Sequence, residues 1–429
     1  VSLPSSASAA VARFGRANRL RRSYFAALGA LPLLAGALTI SAGAQAAGHR
    51  EPLPGGRPGW IASAQDRGAV PDHSQVRARV YLAGRDRTGL AAYALAVADP
   101  ASPAYRHFLT PAQVSSRFGP TSGQIRAVRG WLGAAGMRVV GADDHVLTVT
   151  GTAASVRRAF GTTLHSYARG GVLDRAPSSS VTVPATVAGA LLGVSGLDSA
   201  PHRVHPMDAI PPTEPAVFRA GPCSTTFGQR AAAELPQAYQ QVPTWEDCGH
   251  TPAELRAAYG LDHVNETGKG VTVAVVDAYD GSTVRADADR YARAHGDAPM
   301  RPGQYTTYDA NAWSTAGCDP AEWYGEQAMD VEAVHGLAPD ANIAYLGAAS
   351  CNDADLLAAL QRVVDNHLAD LVSDSWGETS SQVGATEAAA FEQVFQRGAT
   401  EGIGFYFSSG DCGYEDPATP CGRSGSSDR

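Results

Sequence analysis

The sequence predicts an α/β protein: a parallel sheet with helices on both faces, preceded by a smaller α+β domain. Three observations carry this prediction. Beyond residue 250, short apolar runs alternate with helical ones, the rhythm of strands buried beneath helices on both sides. Before residue 200, a separate alternation of helices and strands fills about 140 residues, enough for one small domain. Between them, residues 201–222 contain Pro201, Pro206, Pro211, Pro212 and Pro215, a composition that has difficulty maintaining helix or sheet hydrogen bonds and reads as an exposed linker.

In the first half, residues 50–75 are rich in glycine, proline and charge and read as a flexible leading segment. Partial alternation over 76–97 predicts a strand followed by polar punctuation. Helices are expected at 113–118, 122–135 and 153–160, strands at 145–150 and 164–168, and a helix-like run at 183–192. In the second half, GVTVAVVDA over 270–278 is a continuous apolar strand bounded by glycine. The series continues with helix 284–294, helix 322–337, strand 342–346, helix 353–367, strand 371–375, helix 386–397 and strand 403–408. Open sheets of this kind place their sites at the strand ends.

Composition narrows the function. A chain of 429 residues exceeds one typical core, and a hydrophobic fraction of 44% excludes wholesale disorder. Five arginines, Arg13 to Arg22, precede any acidic residue, and the chain beyond residue 47 carries 29 basic against 42 acidic residues, a net of −13. That balance repels nucleic acid and offers no basic membrane surface. Residues 23–48 carry no charge and end in a small-x-small pattern at Ala44, Gln45 and Ala46, so 1–47 reads as a secretory signal rather than a stable membrane anchor. Cys223, Cys248, Cys318, Cys351, Cys412 and Cys421 all lie in the second half. In an exported protein they allow up to three disulfides, with neighbour pairing the plainest of fifteen patterns. Neither Cys-x-x-Cys nor His-Glu-x-x-His spacing is present, so no metal centre is expected within the chain.

The sharpest local feature is GEQAMDVEAVHGLAP, from Gly325. Glu326 and Asp330 are four residues apart and share one helical face. If solvated, the pair merely repels. If buried, charge repulsion and desolvation both favour keeping one proton between them. Such a pair can deprotonate a serine hydroxyl at acidic pH, where histidine is already charged.

These motifs in this order resemble the sedolisins, the serine-carboxyl peptidases that include kumamolisin. YRHFLTPAQVSSRFGP from Tyr105 and VRRAFGTTLHSY from Val156 are similar to the family's activation domain, and HTPAELRAAYGLD from His250 to the start of its peptidase domain. The resemblance runs over residues 78–429 and implies a subtilisin-like fold, partial here. It implies a division into a signal (1–47), an activation pro-domain (48–200), a linker or processing region (201–222) and the N-terminal part of a peptidase domain (223–429). By the resemblance, Glu326 is the general base and acid, and Asp330 orients it. Asp411, in FSSGDCG, is the oxyanion aspartic acid, and Ser375, Trp376 and Gly377, in VSDSWGE, form the substrate-binding edge.

One departure matters. The family's nucleophile lies in a downstream Gly-Thr-Ser motif, which this chain lacks: Gly161, Thr162 and Thr163 fall in the first domain, while Ser424, Ser426 and Ser427 follow Asp411 too closely and in the wrong context. The expectation is a nucleophile and a calcium loop beyond residue 429, no calcium ligand within the chain, and no peptide hydrolysis by these residues alone. Asp277, ending VAVVDAYD, stands where an ordinary subtilisin keeps its catalytic aspartate. No His-Gly-Thr-His motif lies downstream, so Asp277 is expected in structural hydrogen bonding and His335 as a partly buried helix residue. The expected product is thus a secreted, acid-acting zymogen whose partners are a peptide substrate, its own pro-domain and the remaining catalytic segment. His202 and His205 are expected to aid release by becoming charged. A noncatalytic secreted module of the same architecture is the alternative.

Overall fold

A computed structural model describes residues 48–206, 231, 251–378 and 383–409, all within a unit running from Gln45 to Arg429. The proposed signal, Asp411, Ser424, Ser426, Ser427 and four of the six cysteines lie outside the described residues.

The second half is built on a five-stranded parallel sheet. Its strands lie in the order Tyr305–Thr307, Asn342–Ala348, Thr272–Ala278, Leu371–Asp374, Gly404–Phe407. Alternation in the central strand sorts its side chains: Val275 joins Val284, Ala288 and Val331 on one face, while Ala274, Val276 and Ala278 join Leu356, Leu360 and Val394 on the other. Helices Val284–Ala294 and Pro320–Leu337 therefore cover one face, and Asp353–Asn366 and Ala385–Glu401 the other. Continuous apolar strands follow from burial on both sides.

The first half contains a four-stranded antiparallel sheet in the order Arg138–Ala142, Val146–Thr152, Gln75–Leu82, Leu191–Ser195. Val76, Ala78, Val80 and Leu82 face helices Ser122–Ala134 and Ala153–Phe160, in one core with Val128, Leu132, Val156 and Phe160. Side-chain caps start these helices: Thr121 forms a capping box with Gln124, and Thr152 Oγ1 accepts from Ser155 N–H. The opposite sheet face is solvated at Gln75 and Arg77 but packed at its other end. Tyr81, Ala83, Val146 and Leu192 share a core with Leu356, Leu360, Ala390 and Val394, so the smaller domain sits on two helices of the larger one.

The structure corrects three local readings. Residues 50–75 are not a loose leader but supply strands Arg50–Pro52 and Gln65–Ala69. The polar punctuation after the first strand is helix Arg87–Ala98, started by Asp86, whose carboxylate accepts from Gly89 N–H at 2.8 Å. The run 183–192 is not one helix: Pro184, Gly189 and Gly193 restrict it to the single turn Ala185–Ala188, and Leu191–Ser195 becomes a sheet strand.

Candidate active site

Helix Pro320–Leu337 begins with Asp319, whose carboxylate accepts from Ala321 N–H at 2.9 Å, and with Pro320 in the first turn, where its missing N–H costs nothing. Its buried positions are Trp323, Glu326, Gln327, Asp330, Val331, His335 and Gly336, which follow the helical repeat along one face. Glu326 and Asp330 thus lie on the packed face, 1% and 6% exposed, while Glu322 and Met329 face outward. Gln327 fixes the helix against the central strand: its Nε2 donates to Ala278 O at 2.7 Å and its Oε1 accepts from Gly281 N–H at 2.9 Å. A side chain at Gly281 would collide with Tyr324 and Gln327, so glycine permits this approach.

Two further carboxyls converge on the pair. Asp277, on the central strand, is 0% exposed, and Asp374, ending the next strand, is 1% exposed. Val275 pairs with Ser373, and continuing that register brings Asp277 level with Ser375. Ser375 Oγ donates to Asp330 Oδ1 at 2.7 Å, linking the strand end to the helix. Burial pushes the Asp330 carboxyl up to about 6, although the Ser375 hydroxyl favours its charged form. Burial, then the charges of Asp330, Glu326 and Asp374, hold Asp277 well above the usual carboxylate range, and burial and Asp330 do the same to Asp374. A site of this kind retains protons and can give or take one in acid.

Trp376 closes the core at the strand end, donating from Nε1 to Val276 O at 2.7 Å. Its backbone faces outward to another partner. His205 and Pro206 pair antiparallel with Gly377 and Trp376. On the other side of the same segment, Val204 N–H donates to Cys351 O at 3.0 Å and Asp353 N–H to His202 O at 3.2 Å. The segment 202–206 is therefore an extended strand held between two backbone edges at the carboxyl ends of the sheet, with Val204 buried. The Cys318–Cys351 disulfide, one of the neighbour pairs, ties the start of the carboxylate helix to one of these edges. Tyr279 adopts φ 67°, a left-handed conformation unusual for a bulky side chain, and its hydroxyl donates to Ser314 O at 2.8 Å.

His202 differs from the sequence reading. Its Nε2 lies 3.3 Å from Asp198 Oδ2, and this pairing pushes it up to about 9, so it is already charged at neutral pH and does not gain charge on acidification. Beside it, burial and Asp353 push Glu378 up to about 8. His335 is a buried helix residue, its Nε2 2.8 Å from Ala298 O. The sequence pattern pointed to Glu326 and Asp330 but gave Asp277 a structural role and passed over Asp374. The available signal was an aspartate at the carboxyl end of two apolar strands. Among the described residues, no cluster of three or more His, Cys, Asp or Glu is arranged to hold a metal ion, and no helix is long and apolar enough to cross a membrane.

Comparison with known proteins divides along the two halves. Residues 62–200 match the pro-kumamolisin activation domain, and residues 268–425 match the subtilase family. Xanthomonalisin of Xanthomonas sp. (strain T-22) is 26% identical over 360 residues, covering 80% of this chain and 40% of that protein. Sedolisin of Pseudomonas sp. (strain 101) is 26% identical over 346 residues, covering 78% and 53%. Kumamolisin of Bacillus sp. (strain MN-32) is 28% identical over 276 residues, covering 62% and 44%. The chain thus spans between 40% and 53% of the length of these relatives.

Proposed function

We propose, for a chain that belongs to the sedolisin/kumamolisin family and carries an activation domain ahead of its peptidase domain, that it is part of an acid-acting serine-carboxyl peptidase zymogen. The observation that carries this reading is the buried Glu326–Asp330 face, tied through Ser375 to the strand ends beside an extended backbone edge. Glu326 takes the proton of a serine hydroxyl contributed from outside the described residues as that oxygen attacks the peptide carbonyl. Asp330 orients Glu326 and tunes its proton affinity. Asp411 in its protonated form, with backbone N–H groups, donates to the oxygen that becomes negative. The proton on Glu326 then passes to the leaving amine, and water, deprotonated by the same carboxylate, releases the acyl group and restores the serine.

The carboxyl-rich surroundings explain why acid suits this chemistry. Asp277, Asp330 and Asp374 all have raised proton affinity, so the site does not accumulate negative charge as a solvated cluster would. The substrate is an extended peptide that adds to Ser375, Trp376 and Gly377 by main-chain pairing, as segment 205–206 does in the zymogen. Occupation of that edge by the chain's own linker supports a covering role for the activation domain. Secretion and a calcium loop downstream of these residues complete the proposal; no step runs through the ion.

Peptide hydrolysis by the gene product carrying these residues tests the reading. Glu326→Gln is expected to lower kcat by about 10²–10⁴-fold at acidic pH while leaving the far-UV circular dichroism unchanged. Turnover within threefold of the parent would overturn the assignment of Glu326.

A further inference from the structure

His145 stands where the activation domain meets helix Ala385–Glu401. Its backbone is held on both sides: its N–H donates to Asp143 Oδ1 at 2.8 Å, and its carbonyl accepts from Leu82 N–H at 2.7 Å. The residue is 3% exposed, and its Nδ1 has no hydrogen-bond partner. Two residues of the facing helix act on the ring: the Gln393 amide, which donates to Leu82 O and accepts from Gly84 N–H beside it, and the guanidinium of Arg397, which lies within electrostatic reach. Arg397 is itself buried and ion-paired with Asp365 of helix Asp353–Asn366.

We propose that His145 is an acid-sensing latch: a proton on its imidazole weakens the seat of the activation domain on helix Ala385–Glu401. Burial and the Arg397 charge hold this imidazole well below its ordinary range, so the docked ring is neutral at neutral pH. A proton there places a second cation beside Arg397. The neighbouring carboxylates are already engaged: Asp365 is paired with Arg397, and Asp143 Oδ1 accepts from the backbone N–H groups of His145 and Val146. Burial pushes Glu401, at the end of the same helix, up to about 8, so it is neutral where the latch acts.

The undocked ring takes a proton near its ordinary value of about 6.5, whereas the docked ring does not. Docking therefore loses about tenfold for each pH unit below 6.5, until the depressed value is reached. The carboxyls near the seam, Asp143, Asp353, Glu378, Glu387 and Glu401, have raised proton affinity and respond with the opposite sign. The contribution of His145 is consequently read as a difference between proteins. The proposal relies on the activation domain being a releasable cover but not on the carboxylate chemistry.

The test measures amide hydrogen exchange in residues 385–401 of the full chain between pH 7.5 and 4.5, corrected for intrinsic exchange, for the parent, His145→Gln and His145→Phe. Equal protection at pH 7.5 is expected, with opening of the parent exceeding that of both variants by up to about 100-fold at pH 4.5. Parallel pH profiles would overturn the proposal. Should the variants fail to fold, histidine-labelled parent protein gives the answer by NMR. The His145 imidazole must stay neutral until the seat opens; titration near its ordinary value with the seat closed would refute the latch.

Discussion

At the scale of single residues, Asp330 connects chemistry with stability. Its carboxyl is pushed up to about 6 in the fold, against an ordinary value of 3.8. The folded state therefore binds more protons than the unfolded chain between those values, and stability falls as pH rises through this window. The ionised group costs on the order of 3 kcal/mol above pH 6, a penalty absent below pH 4. Asp277 and Asp374 have the same sign. Asp330→Asn, which removes the charge and keeps an oxygen for the Ser375 hydroxyl, is expected to raise the thermal midpoint at pH 7.5 by several degrees and to leave it nearly unchanged at pH 4. Calorimetry at the two pH values checks this, and equal shifts at both would show that the Asp330 charge is not the cause.

At the scale of elements, the carboxylate helix is held at three places. Asp319 starts it, Gln327 locks its middle to the central strand, and the Cys318–Cys351 disulfide joins its approach to the loop after strand Asn342–Ala348. The bridge closes a sequence separation of 33 residues. By chain entropy, that closure stabilises the fold by about 3–4 kcal/mol. The double variant Cys318→Ala/Cys351→Ala is expected to lose that amount in denaturant unfolding, because both the helix start and the edge holding segment 202–206 are released. A loss below about 1 kcal/mol would mean that packing alone positions these elements.

At the scale of the whole molecule, one face of the smaller sheet is buried on its own helices, and part of the other packs on the larger domain. Tyr81 and Leu192 point across the seam, while neighbouring Val80 and Leu191 point into their own core. Arg79 adds an ion pair with Asp355 at 2.5 Å, and Leu109 N–H reaches Thr400 O at 3.0 Å. Apolar area dominates this contact, since a partly exposed ion pair contributes only about 0–1 kcal/mol. Leu192→Ala is expected to weaken the seat by about 2–5 kcal/mol, exposing helix Ala385–Glu401 to exchange ahead of strand Val146–Thr152. Simultaneous exposure of both would indicate that the two domains unfold as one unit.

The sequence by itself determined what is local. Helical spacing put Glu326 and Asp330 on one face, and apolar runs located the central strands, because both signals extend over only a few residues. It misread residues 183–192, where the same apolar composition suits a helix or a strand and pairing with Arg79–Leu82 decides between them. Tertiary structure alone decided that the carboxylate face is packed rather than solvated and that Asp277 and Asp374 join it. It also decided that His202 is already paired with Asp198 while His145 is buried neutral against Arg397. Burial and charge set these proton affinities, and both depend on residues brought together from distant parts of the chain, which no local pattern records.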